Sequence, residues 1–371
     1  MITLVTLTNF LAFRELDLDL RPLTVLSGTN SAGKTSVLHA FALLRQSQEA
    51  QTLPGAWLLN GHWIELGTGR DLQHSEPVEI DGVDGFSLSI ELRSSDMQHR
   101  WIALYDAGAD VLRLAGCSTS DCIVPGLFGP GFQYLKADRM VPAVTYPESH
   151  EAVSVHRTLG PSGEHAPNYL RVWGESTIEC EAARHPSAPS MGLLDQTNAW
   201  MADLSAGTSL DAVDIEGTDY VRLRFRISGP EVRTEPHRPT NVGFGLTYAL
   251  PVVISALMSS DHSLLLVENP EAHLHPRGQA LLGRLCALAA SGGAQVIVET
   301  HSDHVLNAVR LAVKRQELAA TDVLLHFFSR TEDVLQPNKE TIEVASDGMI
   351  ERWPRGFFDQ WDQAVEELLD S

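Results

Sequence analysis

The sequence predicts an α/β fold in which a parallel sheet is interrupted by a β-rich insertion, and three observations carry that expectation. Near the N-terminus a glycine-rich turn sits between an apolar strand and an amphipathic helix. From Leu264 to Phe328, strand and helix patterns alternate in the manner of a parallel sheet with crossover helices. Between these two regions, residues 75–135 show the period-two alternation of antiparallel strands, as in Phe86, Leu88, Ile90 and Leu92.

Residues 4–7 read as a strand, 9–14 as a break, 16–20 as a second strand and 23–26 as a buried third. The third leads into Gly28-Thr-Asn30-Ser31-Ala32-Gly33-Lys34-Thr35, which fits the phosphate-loop pattern G-x-x-x-x-G-K-[ST] at every required position. Ser36 opens a helix over 36–45 with Val37, Leu38, Phe41 and Leu44 on one face. Glycines let backbone N–H groups close around phosphate oxygens, and the helix start adds a positive dipole end. Lys34 is expected to reach the β and γ phosphates, with the Thr35 hydroxyl as the Mg²⁺ ligand. This is a nucleotide site.

Past the first helix, Pro54, Gly55, Gly61, Gly67 and Gly69 mark turns before the β-rich stretch. Residues 146–208 are rich in Gly, Pro, Ser and His, with one expected helix at 193–204. A strand at 220–227 and a loop at 229–239 precede Gly243 and Gly245, which open an apolar helix over 246–257 and make a second phosphate-facing helix start, extending to Thr247. Strands at 264–267, 295–299 and 323–328 then alternate with helices at 276–290 and 304–314. The expected organisation is an N-terminal half of the nucleotide fold at 1–74, an insertion at 75–215, and a C-terminal half with a short helical tail at 216–371.

Composition narrows the classes. A hydrophobic content of 43% suits a soluble globular chain, and no apolar run approaches the ~20 residues of a membrane helix. The N-terminus reads as a strand without a basic region or cleavage site, so a cytoplasmic location and no membrane partner are expected. A net charge of −21 opposes wrapping of nucleic acid by the whole surface. Arg222, Arg224 and Arg226 share one strand face, where a local basic patch competes with the favoured reading of a solvated face paired to acids. Cys117 and Cys122 are near enough in sequence for a metal half-site, but with Cys180 and Cys286 scattered, reduced bystander thiols are favoured.

A second constellation follows the strand at 264–267. Glu268 ends it, where a phosphate-loop enzyme keeps the acid that binds Mg²⁺ through water. Asn269, Pro270, Glu271, His273, His275 and Pro276 come next, and the strand at 295–299 runs into Thr300-His301-Ser302. His301 is thereby placed at the carboxyl edge of the sheet, where it can hydrogen-bond a γ phosphate. A metal cluster of His273, His275 and His301 with two carboxylates is the alternative. For the first two, a polar loop entering a helix with proline at its first position is favoured.

Together these segments resemble the ABC-type ATPase heads of the SMC, RecF and OLD families. Val267-Glu-Asn-Pro-Glu-Ala-His-Leu-His-Pro276 is similar to the strand-and-acid motif of bacterial AAA ATPases in the OLD-like branch. Thr300 to Arg310 and Trp353-Pro-Arg-Gly-Phe-Phe-Asp-Gln360 point to the branch carrying a C-terminal domain of unknown function. Tyr134-Leu-Lys-Ala-Asp-Arg139 and Gly160-Pro-Ser-Gly-Glu164 match more weakly. The resemblance implies an ATP- and Mg²⁺-dependent ATPase that forms a homodimer, with Gly243, Gly245 and Thr247 of one chain capping the γ phosphate on the other's Lys34. It also implies service to DNA repair, chromosome maintenance or anti-phage defence, with an effector such as a nuclease encoded separately. Neither a Toprim nuclease domain nor long coiled-coil arms are expected in this chain.

Two positions depart from the family pattern. The residue after Glu268 is Asn269, where most such heads keep a glutamate to activate water, and an amide is no useful base. The proton then goes to Glu271, to His301 or to the phosphate, with Glu271 preferred for its nearness to Asn269. The glycine segment also lacks the Leu-Ser-Gly-Gly-Gln wording of transporter ATPases. The leading expectation is a slow ATPase in a nucleic-acid-directed defence system, leaving contact with DNA or RNA open. The alternatives are a nucleotide-gated scaffold with little hydrolysis and a DNA repair ATPase.

Overall fold

The computed structural model describes all residues except 84, 96, 118–123, 229–233, 331–335, 355, 359–364, 366 and 370–371. The chain forms two compact units, one of Met1–Ile123, His301–Asp303 and Ala320–Ser371, the other of Val124–Thr300 and His304–Ala319.

The first unit opens with β1 (Ile2–Phe10) and β2 (Phe13–Asp19), an antiparallel hairpin in which Phe10 faces Phe13. The turn is tighter than the break expected at 9–14. Asn9 sits at φ 56° and is buried, yet its amide holds the chain by accepting from Val78 N and donating to Val78 O and Ser87 O. Asparagine tolerates this left-handed conformation better than most residues, so the strand continues through it. Then come β3 (Leu23–Gly28), α1 (Lys34–Glu49), β4 (Ala56–Leu58), the single turn α2 (Gly69–Leu72), β5 (Ser87–Ser94), β6 (Gln98–Leu104) and β7 (Val111–Cys117).

One sheet runs β2-β1-β5-β6-β7-β4. The division expected at residue 75 therefore falls within a region whose strands join one sheet, because β5 pairs along the length of β1, Val5 opposite Leu92 and Leu7 opposite Ile90. Alternation marks these residues as half-buried strands but carries no information about which partner covers the edge.

The second unit begins with β8 (Phe132–Leu135). All four of its residues are buried and it pairs in parallel with a later strand, so it leaves the antiparallel meander expected to run to 135. It is followed by β9 (Tyr146–Pro147), α3 (Ala166–Trp173), α4 (Leu193–Leu204), β10 (Thr208–Asp214) and β11 (Tyr220–Ile227), with the three strands ordered β10-β11-β9. Helix α3, inside the segment read as irregular, starts at Ala166 with Pro167 in its first turn and buries Tyr169 and Leu170. Its eight residues are too few for a helical period to stand out among prolines and glycines. On β11, Arg224 and Arg226 both pair with Asp211 of β10 at 2.7 and 2.6 Å, the acid-paired strand face favoured above.

Helix α5 (Phe244–Leu257), β12 (Leu264–Glu268), α6 (Pro276–Ser291), β13 (Gln295–Glu299) and α7 (Asp303–Lys314) complete this part, with parallel strands ordered β13-β12-β8. β12 and β13 are buried at every position, the continuous apolar signature of a strand covered on both faces. Back in the first unit, β14 (Val323–Ser329) pairs in parallel with β3, and β15 (Asn338–Ile342) pairs antiparallel to β14.

Candidate nucleotide site

In the first unit the phosphate loop is built on the β3–β14 pairing. Phe328 lies opposite Gly28, and its carbonyl accepts from Thr29 N at 3.0 Å. Gly28 has φ 142°, and a Cβ there would come within 1.9 Å of that carbonyl oxygen. Gly33 has φ 82°, and its Cβ would meet the Ala12 side chain and the Phe13 ring at 2.7 Å. Both glycines are thus required by backbone conformation and by close approach.

Helix α1 starts directly after Gly33 with no acidic residue in its first turn, so no carboxylate there competes with an anion for the positive end of its dipole. Ser31, at φ 60°, and Asn30 are exposed along the loop, Ala32 and Ser36 are buried, and Thr35 is half-buried. Lys34 is buried, and its ammonium donates to Gly28 O at 3.1 Å and Thr29 O at 2.8 Å. A lysine held on carbonyls of its own loop is a cation already aimed into the cradle that phosphate oxygens would fill. His301 lies close enough for the Lys34 charge to act on it: burial first, then Lys34, hold its imidazole below the usual histidine range. It is therefore neutral near pH 7.

In the second unit, Glu268 ends β12 directly beside Glu299 of β13, and both are buried. Tyr134 of β8 donates its hydroxyl to Glu268 Oε1, and Ala137 N donates to Oε2 at 2.9 Å. Arg139 donates Nη2 to the backbone oxygen of Glu268. None of these three partners carried a predicted role. Tyr134 to Arg139 stood out only by family resemblance, and nothing in a single sequence says that β8 lies beside β12.

Asn269 takes φ 41°, and its backbone N–H donates to Glu299 O at 2.7 Å. Its side-chain Oδ1 is buried with no hydrogen-bond partner among the described residues. Glu271 accepts the Thr300 hydroxyl on Oε2 at 2.8 Å. It also faces the buried Arg139, whose guanidinium is pushed down to about 10 by burial, against the opposing pull of Glu271 and then Glu268. A carboxylate engaged in this way stabilises an internal cation, a task that competes with service as a general base.

His275 caps α6, its Nδ1 accepting from Arg277 N at 3.3 Å ahead of Pro276, as favoured from the sequence. His273 packs its ring against Tyr248 and Phe244, at centroid distances of 4.6 and 5.6 Å. Among the described residues no three His, Cys, Asp or Glu side chains are grouped to hold a metal ion. Cys122 lies outside the described residues; Cys180 and Cys286 are buried free thiols.

The second glycine-led helix start separates into unlike parts. Gly243 is the N-cap of α5 at φ −62°, and a Cβ there would meet nothing within 4 Å. Gly245 lies inside the helix, where a Cβ would come within 2.6 Å of His273 O and 2.8 Å of the Leu274 side chain. Thr247 is fully buried. Packing thus explains glycine at 245, and burial turns Thr247 inward, which leaves Gly243 and the exposed Phe244 as the open part of the segment.

The comparisons with known proteins agree with this arrangement. Residues 1–98 match the model of an AAA ATPase domain, and residues 231–307 match one described as "AAA domain, putative AbiEii toxin, Type IV TA system". Residues 318–368 match "Protein of unknown function (DUF3696)". A solved structure of an SMC head bound to the C-terminal winged-helix domain of ScpA superposes with a TM-score of 0.55 at 13% identity, covering 92% of this chain and 97% of that one. The fold is that of an ABC-type ATPase head. A second SMC head, with an extended coiled coil and bound to the C-terminal domain of ScpA derived from Pyrococcus furiosus, gives 0.53 at 11% identity over 99% of both chains. No curated protein matches the head in sequence. No helix among its described residues is long and apolar enough to cross a membrane.

Proposed function

We propose that this head binds ATP with Mg²⁺ and hydrolyses it slowly, pairing with a second copy of itself through the bound nucleotide. The observation that carries the reading is the cradle at Gly28 and Gly33, two places where only glycine fits, closed around Lys34 at a helix start free of acid. The loop residues Gly28, Asn30, Ser31, Ala32, Gly33, Lys34, Thr35 and Ser36 would hold the phosphates. The Thr35 hydroxyl and the Glu268 carboxylate are hard oxygen donors, the chemistry Mg²⁺ takes, and bound Mg²⁺ would neutralise charge developing on the phosphates. His301, neutral near pH 7 and under the influence of Lys34, is suited to hydrogen-bond the γ phosphate and to accept a proton. With Glu271 engaged by Thr300, His301 becomes the preferred acceptor, and Asn269 orients water through its amide oxygen. In the dimer, Gly243 of one copy caps the phosphate held by the other.

The system served is read as nucleic-acid-directed defence with a separately encoded effector, a reading in keeping with the AbiEii description matched at 231–307; DNA repair is the neighbouring possibility. A second reading, a nucleotide-gated scaffold with little hydrolysis, is favoured by Asn269, which removes the carboxylate that most such heads place after the acid. Steady-state phosphate release, measured against ATP binding by calorimetry, separates the two. Tight binding with turnover that Lys34→Ala removes supports the ATPase, tight binding without turnover supports the scaffold, and no binding overturns both.

A further inference from the structure

Glu268 receives its carboxylate donors from one short stretch of chain. Tyr134 donates its hydroxyl to Oε1, and Ala137, three residues later, donates its backbone N–H to Oε2 at 2.9 Å. The register explains the first contact. Tyr134 stands opposite Leu266, and because side chains alternate along a strand, Leu266 and Glu268 share the face on which Tyr134 reaches across. We propose that Tyr134 is a positioning residue, which with Ala137 N–H fixes the orientation of Glu268 toward a Mg²⁺-bound nucleotide. The inference rests on the reading of Glu268 as the metal-side acid.

The chemistry of the clamp is what singles it out. Both donors are neutral, so they orient the carboxylate and leave its negative charge for a cation, and each oxygen keeps a second lone pair. Arg139 donates to the backbone oxygen of Glu268 instead of to its carboxylate. Tyr134 is fully buried, so water does not compete for its hydroxyl.

The clamp is itself anchored. Lys136 N donates to Pro161 O at 2.9 Å and Met140 N to Ser162 O at 2.7 Å, which ties the turn after β8 to the segment 160–163. That segment is fixed in turn, because Gly163, at φ 73°, packs so closely on Pro251 of α5 that a Cβ would come within 2.3 Å of its ring. A side chain held by groups that are themselves held is the requirement for a ligand oxygen placed to within a fraction of an ångström.

The test uses the full chain and a non-hydrolysable ATP analogue, with binding measured by calorimetry across a Mg²⁺ titration and again in EDTA. Tyr134→Phe removes only the hydroxyl. Its Mg²⁺ midpoint should rise by about 10- to 100-fold, the usual cost of losing an outer partner of a metal ligand, while affinity in EDTA stays that of wild type. A purely structural role would move both affinities or neither. Glu268→Gln serves as the control on the underlying reading. If it keeps wild-type Mg²⁺ dependence, the assignment of Glu268 itself falls; if it loses that dependence while Tyr134→Phe does not, only the positioning role is overturned. Should Tyr134→Phe melt below the assay temperature, 3-fluorotyrosine at 134 keeps ring and hydroxyl while strengthening the donor. An unchanged Mg²⁺ midpoint in that protein also overturns the proposal.

Discussion

Gly245 approaches His273 so closely that a Cβ would lie 2.6 Å from the His273 carbonyl oxygen, whereas two residues earlier Gly243 faces open space. The two glycines look alike in sequence but are held by different causes. Overpacking at such a contact typically costs about 1–3 kcal/mol, so Gly245→Ala should lower the unfolding free energy by that amount, read from denaturant unfolding, with or without nucleotide. Gly243→Asp should leave stability intact, since aspartate is a favoured helix N-cap.

That difference decides how trans completion of the site is tested. Asp at 243 would bring a negative charge to the capped phosphate without disturbing the packing at 245. Chains carrying Lys34→Ala should be inactive alone, as should chains carrying Gly243→Asp, while a mixture of the two contains heterodimers with one intact composite site. Recovery of ATP hydrolysis on mixing is the expected result. Two folded variants that stay inactive together would refute nucleotide-bridged pairing.

Lys34→Ala should abolish tight ATP binding in calorimetry with Mg²⁺ while changing the melting transition little. The lysine is buried, but its ammonium donates to carbonyls of its own loop, and carbonyls at a surface cradle can turn to water. Wild-type affinity in the variant would remove the phosphate-loop assignment.

Turnover should depend on His301 more than on Glu271. Losing a positioned base typically costs about 10²- to 10⁴-fold, and His301→Ala is expected to fall in that range in steady-state phosphate release. Asn269→Glu should raise the rate by restoring a carboxylate after Glu268. Glu271→Gln should act mainly on stability, because it removes a charge facing the buried Arg139, and a loss of turnover without a loss of stability would return the role of base to Glu271.

The buried His326 makes the first unit sensitive to acid. Its ring nitrogens lie 2.8 Å from Asp19 O and 3.2 Å from Thr341 Oγ1, and burial lowers it from 6.5 to about 4. A depressed folded-state value means the unfolded chain takes up the proton first, so the stability is fully present above pH 6.5 and is lost as pH falls toward 4, by about 3 kcal/mol in all. Denaturant midpoints of wild type and His326→Gln should therefore converge or cross between pH 7 and 5, and parallel curves would refute this account.

By itself the sequence determined the features that depend on local spacing. The phosphate loop, its flanking strand and helix, the acid at the end of an apolar strand and the proline-started helix after His275 were all legible, because each follows from residues within one or two turns of chain. It did not determine strand partners. Residues 87–94 alternate as any half-buried strand does, and only the tertiary structure places them along β1; Phe132 to Leu135 are apolar throughout, and only pairing with β12 brings Tyr134 to Glu268. The same limit governs the site. Gly243 and Gly245 are distinguished by what lies opposite each Cβ, and Glu271 differs from a free carboxylate through Thr300 and Arg139. Those partners are distant in sequence, and packing between distant segments leaves no periodic trace along the chain.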